Sequence, residues 1–207
     1  MRDQSRGEEI ANSISHGIGF LGAVAVTPVL IVKAVSSGAS AVVGASVFGA
    51  TMIMLYLVSC LYHAFPENRA KRLFQIFDHG AIFLLIAGTY TPFTLGVLKG
   101  AWGWSLFGVV WGLALAGVVL KSVGGPRSGK LSTGLYLAMG WMAVVAAKPL
   151  YTNLSAGGLF WLLAGGAMYS GGVFFFAIDN RVKYSHFIWH IFVLAGTACH
   201  VAAVLKS

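Results

Sequence analysis

Ala101-Trp102-Gly103-Trp104-Ser105-Leu106-Phe107-Gly108-Val109-Val110-Trp111-Gly112-Leu113-Ala114-Leu115-Ala116-Gly117-Val118-Val119-Leu120 runs for twenty residues without an ionisable side chain. The hydrocarbon core of a bilayer takes about 20 helical residues, so this stretch is long and apolar enough to cross it. Its apolar residues are continuous rather than alternating, which speaks for a helix and against a strand of a membrane β-barrel. Six further stretches of the same kind occupy 14–34, 41–64, 76–98, 131–150, 157–178 and 186–206. The sequence therefore reads as an all-α integral membrane bundle of seven transmembrane helices. It forms one seven-span domain over residues 1–207, with a short N-terminal segment, 1–13, ahead of the first apolar run.

Composition points the same way. Hydrophobic residues make up 57% of the chain and charged residues 10%, against about 25% charged in ordinary soluble domains. The only two cysteines, Cys60 and Cys199, lie inside apolar runs, which excludes a secreted disulfide framework. A net charge of +8 would suit nucleic acid, but the fourteen Lys and Arg fall in short connectors and form no basic face, so nucleic acid is not expected as a partner. Their placement is topogenic instead. The N-terminal side of the bundle collects Arg2, Arg6, Arg69, Lys71, Arg72, Lys121, Arg127, Lys130, Arg181 and Lys183, and the other side Lys33, Lys99, Lys148 and Lys206. Ten against four places the N-terminus in the cytoplasm and the C-terminus outside, as expected of a multi-pass protein of the cell membrane. The first apolar run follows Glu8 and Glu9 and is long enough to span, so it reads as a span rather than a cleaved leader. Glycine spacings such as Gly108-Gly112 and Gly112-Ala116 read as places where helices approach closely.

Against this apolar background the ionisable residues stand out, because charge within a span is costly and marks function. Five of the six acids, Asp3, Glu8, Glu9, Glu67 and Asp179, fall in the tail or loops, leaving Asp78 at the head of span three. His16, His63, His79, His186 and His190 all belong to the cytoplasmic half, whereas His200 lies about 21 Å along the helix from His186, too deep to share a centre. His186 and His190 are four positions apart and so project from one helix face, where two imidazoles can grip one ion. His63 can supply a third ligand from span two, and Ser59, four residues before it, shares its face. Imidazoles suit zinc, and equally nickel, copper or iron. The segment His186-Phe187-Ile188-Trp189-His190 lacks the glutamate of the H-E-x-x-H hydrolases, so Asp78 is the candidate to hold a metal-bound water or to act as general base. The same spacing also fits an interfacial histidine pair, and a lone acid at a helix start also serves as an N-cap or dipole-stabilising charge. Convergence of His63, Asp78, His186 and His190 in one leaflet on three helices favours a metal site. His79, about 100° around from Asp78, is expected to face the loop or interface. His16 is expected to hydrogen-bond within the first span, and His200 to be a buried polar contact. Tyr90-Thr91-Pro92 predicts a kink in span three.

Ser59-Cys60-Leu61-Tyr62-His63, Asp78 and Ser185-His186-Phe187-Ile188-Trp189-His190, together with Glu8-Glu9-Ile10-Ala11-Asn12-Ser13-Ile14-Ser15-His16-Gly17, resemble the signature of the hemolysin III family within the progestin and adiponectin Q receptor superfamily. The resemblance covers essentially the whole chain. It implies Zn2+ held by His63, His186 and His190, with Asp78 on the metal-associated water and Ser59 beside it. It also implies a ceramidase-like hydrolysis of a lipid amide or ester and a part in membrane-lipid homeostasis, with membrane lipids as partners. Two other functions are compatible with the same residues: a sensor or regulator of membrane state in which zinc staples spans two, three and seven, and a cytolysin. A retinal pump is not expected, since span seven has no mid-membrane lysine and Lys206 stands at its end.

Overall fold

A computed structural model of the chain describes residues 4–98, 100–124 and 129–207. Arg2, Asp3, Lys99 and Arg127, used in the charge readings above, lie outside the described residues, as does the side chain of Lys130. The described residues form helices and no strands. Seven helical segments are long and apolar enough to cross a membrane.

The first helix, α1 (Arg6–Val35), begins well before its apolar run because Ser5 and Glu8 form a capping box: the Glu8 backbone N–H donates to Ser5 Oγ and the Ser5 N–H donates to the Glu8 carboxylate. Helix α2 (Ala39–Ala64) follows Gly38, whose φ of 96° is a conformation that side-chain-bearing residues rarely adopt. Helix α3 (Arg69–Pro92) is capped by Asn68, which accepts from Lys71 N at 3.0 Å. Asp78 therefore lies in the third turn and is not a cap. The expected disturbance at Tyr90-Thr91-Pro92 is present. Beyond Pro92, which has no N–H to donate, the span continues as a wider π-helical turn over Phe93–Leu98.

Helix α4 (Gly100–Gly124) is followed by a span in two pieces, α5 (Gly129–Trp141) and α6 (Ala147–Asn153), joined by a 3-10 segment over Met142–Ala146. The break has a specific cause. In a regular helix the Ala143 N–H would reach the Met139 carbonyl; here it donates to the Tyr90 hydroxyl at 2.8 Å. That hydroxyl lies 2.9 Å from Met139 O and 2.7 Å from Gly140 O, to which it donates. A side chain inserted into the ladder in this way interrupts a helix. Helix α7 (Ala156–Ala177) starts at a Ser155 cap, and α8 (Ser185–Leu205) closes the bundle.

Two apolar cores result. One joins α1, α2, α3 and α8 through Ala23, Phe48, Met52, Leu55, Tyr56, Leu85 and Trp189. The other joins α3, α4, span five and the end of α8 through Phe83, Val110, Ala114, Tyr136, Met139 and Ala203. The small residues singled out on α4 do not mediate packing: Gly108, Gly112 and Ala116 are exposed, and space is open around both glycines. They lie on the outer face. Close approach on that helix occurs at Gly117, which packs against the Phe83 ring. In lipid such contacts, rather than apolar burial as such, hold helices together.

Candidate metal centre and chamber

His63 ends α2, and His186 and His190 occupy the first two turns of α8. One ring nitrogen from each comes together, all three lying within 4.8 Å of one another, which is the spacing of a group able to hold a metal ion. The other nitrogens explain the orientation. His63 Nδ1 lies 2.7 Å from Glu9 Oε2, and His186 Nδ1 lies 3.1 Å from Asp179 Oδ2. His190 Nδ1 lies 3.1 Å from Ser15 Oγ and 3.3 Å from the Asn12 carbonyl. Ser15 Oγ donates to that same carbonyl at 2.8 Å, so it accepts from His190. All three partners are acceptors, which fixes the proton on Nδ1 and leaves Nε2 with its lone pair free. His63 Nε2 is buried and without a hydrogen-bond partner. Imidazoles held by oxygen acceptors on the far nitrogen are the usual outer shell of a metal site, and this donor set fits a borderline cation such as zinc.

Glu9 was expected in the tail and Asp179 in a loop without a role. The structure puts both on the histidines, and Ser15 with them. Glu9 also pairs with Lys71, whose Nζ lies 2.7 Å from Glu9 and 3.2 Å from Glu67. Lys71, expected only as a topogenic charge, is thus a buried partner of the cluster. The signal for Glu9 was available: the Ser5-Arg6-Gly7-Glu8 pattern is a capping box and starts the helix early enough to bring Glu9 inside the bundle. Glu8 further accepts from the Tyr184 N–H at 2.9 Å, tying α1 to the turn that launches α8. Tyr184 there has the only positive φ of a non-glycine residue among those described, at 59°.

Two of the three, His186 and His190, line a chamber of about 670 Å³. His16, Ser59, Asp78, His79, His186 and His190 line its polar end, and residues such as Leu55, Ile82, Leu106, Leu162 and Val193 its apolar length. Ser59 Oγ is buried without a partner. Asp78, 6% exposed, lines the same chamber but is not one of the three converging ligands. His79 faces the chamber rather than a loop. His16 does not make the hydrogen bonds expected of it; it stacks on His190. His200 is the buried contact anticipated, its Nδ1 at 2.7 Å from the Gly196 carbonyl and its ring stacked on Tyr169. Trp141, Val144, Tyr151 and Leu163 line the chamber while being more than half exposed, so the wall between span five and α7 opens outward, toward lipid.

Fold and site together define a seven-span membrane protein with a buried three-histidine cluster at the polar end of an apolar chamber. The chain belongs to the haemolysin III family: residues 4–201 match the family described as Haemolysin-III related. It is 47% identical to the Hemolysin-3 of Bacillus cereus over 199 residues, 96% of this chain and 90% of the relative. It is 46% identical to the Hemolysin-3 homolog of Bacillus subtilis (strain 168), covering 96% and 93%. A more distant relative, the monocyte to macrophage differentiation factor of Homo sapiens, is 26% identical over 208 residues, covering 96% and 84%. The chain is accordingly a multi-pass protein of the cell membrane.

Proposed function

We propose that the protein is a zinc-dependent intramembrane hydrolase of a lipid amide or ester, ceramidase-like in chemistry and serving membrane-lipid homeostasis. The observation that carries the reading is the placement of three tautomer-locked imidazoles at the polar end of an apolar chamber that opens toward lipid. His63, His186 and His190 would hold the metal, with Glu9, Asp179 and Ser15 orienting them. Zinc in a three-histidine set supplies a Lewis acid that polarises a carbonyl and makes water nucleophilic near neutral pH. The chain's own residues do the rest. The apolar walls hold an acyl chain so that its polar end meets Ser59 and Asp78. Asp78, a carboxylate in the chamber wall, takes a proton from the attacking water and delivers it to the leaving amine or alcohol. Ser59 Oγ, with no protein partner, donates to the oxygen on which charge develops. The basic residues, ten on one side against four, support a cytoplasmic N-terminus and, with it, a site on the cytoplasmic side.

The test is release of free fatty acid from a panel of N-acyl and O-acyl lipids by the purified chain. Turnover that falls by about a hundredfold or more in Asp78→Asn while the metal stays bound supports catalysis. No turnover across the panel, with metal still bound, favours a structural metal in a sensor of membrane state.

A further inference from the structure

His16 projects from α1 into the chamber with both ring nitrogens buried and unpaired, and only 3% of its surface exposed. Its ring lies face to face with that of His190, with centroids 3.6 Å apart and planes 6° from parallel, and meets the Tyr56 ring edge-on at 5.1 Å. The stack rules it out as a fourth ligand. An imidazole binds an ion in the plane of its ring, about 2.0–2.1 Å from nitrogen. An ion held by His190 would therefore not be placed for bonding by a His16 nitrogen. Stacking alone does not account for the residue either, because a phenylalanine would stack as well without burying two polar atoms.

We infer that His16 is a substrate-contacting residue, hydrogen-bonding the uncharged polar head of a lipid lodged in the chamber. The inference rests on the lipid-chamber reading above. A neutral imidazole carries one N–H donor and one lone pair on different edges, and the Ser59 hydroxyl likewise donates and accepts. Both are buried, lack protein partners and line the polar end of the same chamber. Together they offer donors and acceptors without formal charge. The head group that satisfies them is one that also donates and accepts, a hydroxyl or a secondary amide, joined to a chain that fills the apolar length.

The experiment uses the full chain in detergent with two probes of equal chain length, oleyl alcohol and 9-octadecene, neither of which has a bond to hydrolyse. Binding is read from the fluorescence of Trp141 and Trp189, beside metal content and melting temperature. The wild type should prefer the alcohol by about tenfold. His16→Phe, which keeps the stack, should retain metal and melting temperature but bind the two probes within about twofold of each other; His16→Gln should recover most of the preference. Should the phenylalanine variant not fold, His16→Leu removes the same two nitrogens and is read in the same way. An undiminished preference in the nitrogen-free variant overturns the assignment. So does loss of metal in step with the preference, since His16 would then act through His190. A wild type that binds neither probe sinks the lipid-chamber reading itself, and this assignment with it.

Discussion

Helices α2 and α8 bring to the polar end of the chamber three histidines whose Nδ1 atoms are each held by an oxygen acceptor, whereas span five meets the chamber with a backbone interrupted by the Tyr90 hydroxyl. In the proposed function the first region would be the site of chemistry and the second the way in. The contrast follows from what each has to do. A metal would need its ligands held within a fraction of an ångström, and the tethers on His63, His186 and His190 are suited to that. A wall that admits a lipid chain must part from its neighbour, and a span broken at Met142–Ala146 whose chamber-lining Trp141, Val144 and Tyr151 are more than half exposed is suited to that.

The comparison breaks first at the tethers. Glu9→Gln should weaken metal binding by about ten- to a hundredfold in a chelator-competition titration. Asp179→Asn should cost less, because the His186 side chain it holds is 12% exposed against 1% for His63, and solvent can replace the lost acceptor. Equal effects would show that the outer partners do not grade with burial. On the apolar side, Gly166 lines the chamber with open space around it. Gly166→Phe should fill that space, reducing oleyl alcohol binding by about tenfold with metal content unchanged, since the added ring occupies volume the chain would use. The smallest effect concerns the packing of α4 on α3 at Phe83, whose ring lies against Tyr136 of span five. Gly117→Ala must displace the Phe83 ring and should destabilise by about 1 kcal/mol, whereas Gly112→Ala, with nothing near its Cβ, should be neutral in a thermal melt.

The same contrast explains what was legible in the sequence. Seven spans were, because hydrophobic length survives any arrangement of neighbours. So was the meeting of His63, His186 and His190, since a four-residue helical spacing and a shared leaflet leave few other partners. The tethers were not. Asp179 reaches His186 from a turn outside any helix, where no periodicity points at it. Glu9 looked like a tail residue because hydropathy begins α1 at Ile14, while the helix itself begins at Arg6 under its Ser5 cap. The break in span five was equally hidden, since its cause is one hydroxyl arriving from another helix. Helix α4 shows the converse: Gly108 and Gly112 have the spacing of a packing motif and face outward, because which face of a uniformly apolar helix meets its neighbours is set by tertiary fit alone.

The central claim is that the three Nε2 atoms form a metal site, and elemental analysis of the purified chain beside His63→Ala and His190→Ala tests it most directly. The account predicts about one zinc ion per wild-type chain and close to none in either variant, with melting temperature lowered accordingly. A metal-free wild type, or variants that keep the wild-type metal content, would contradict it.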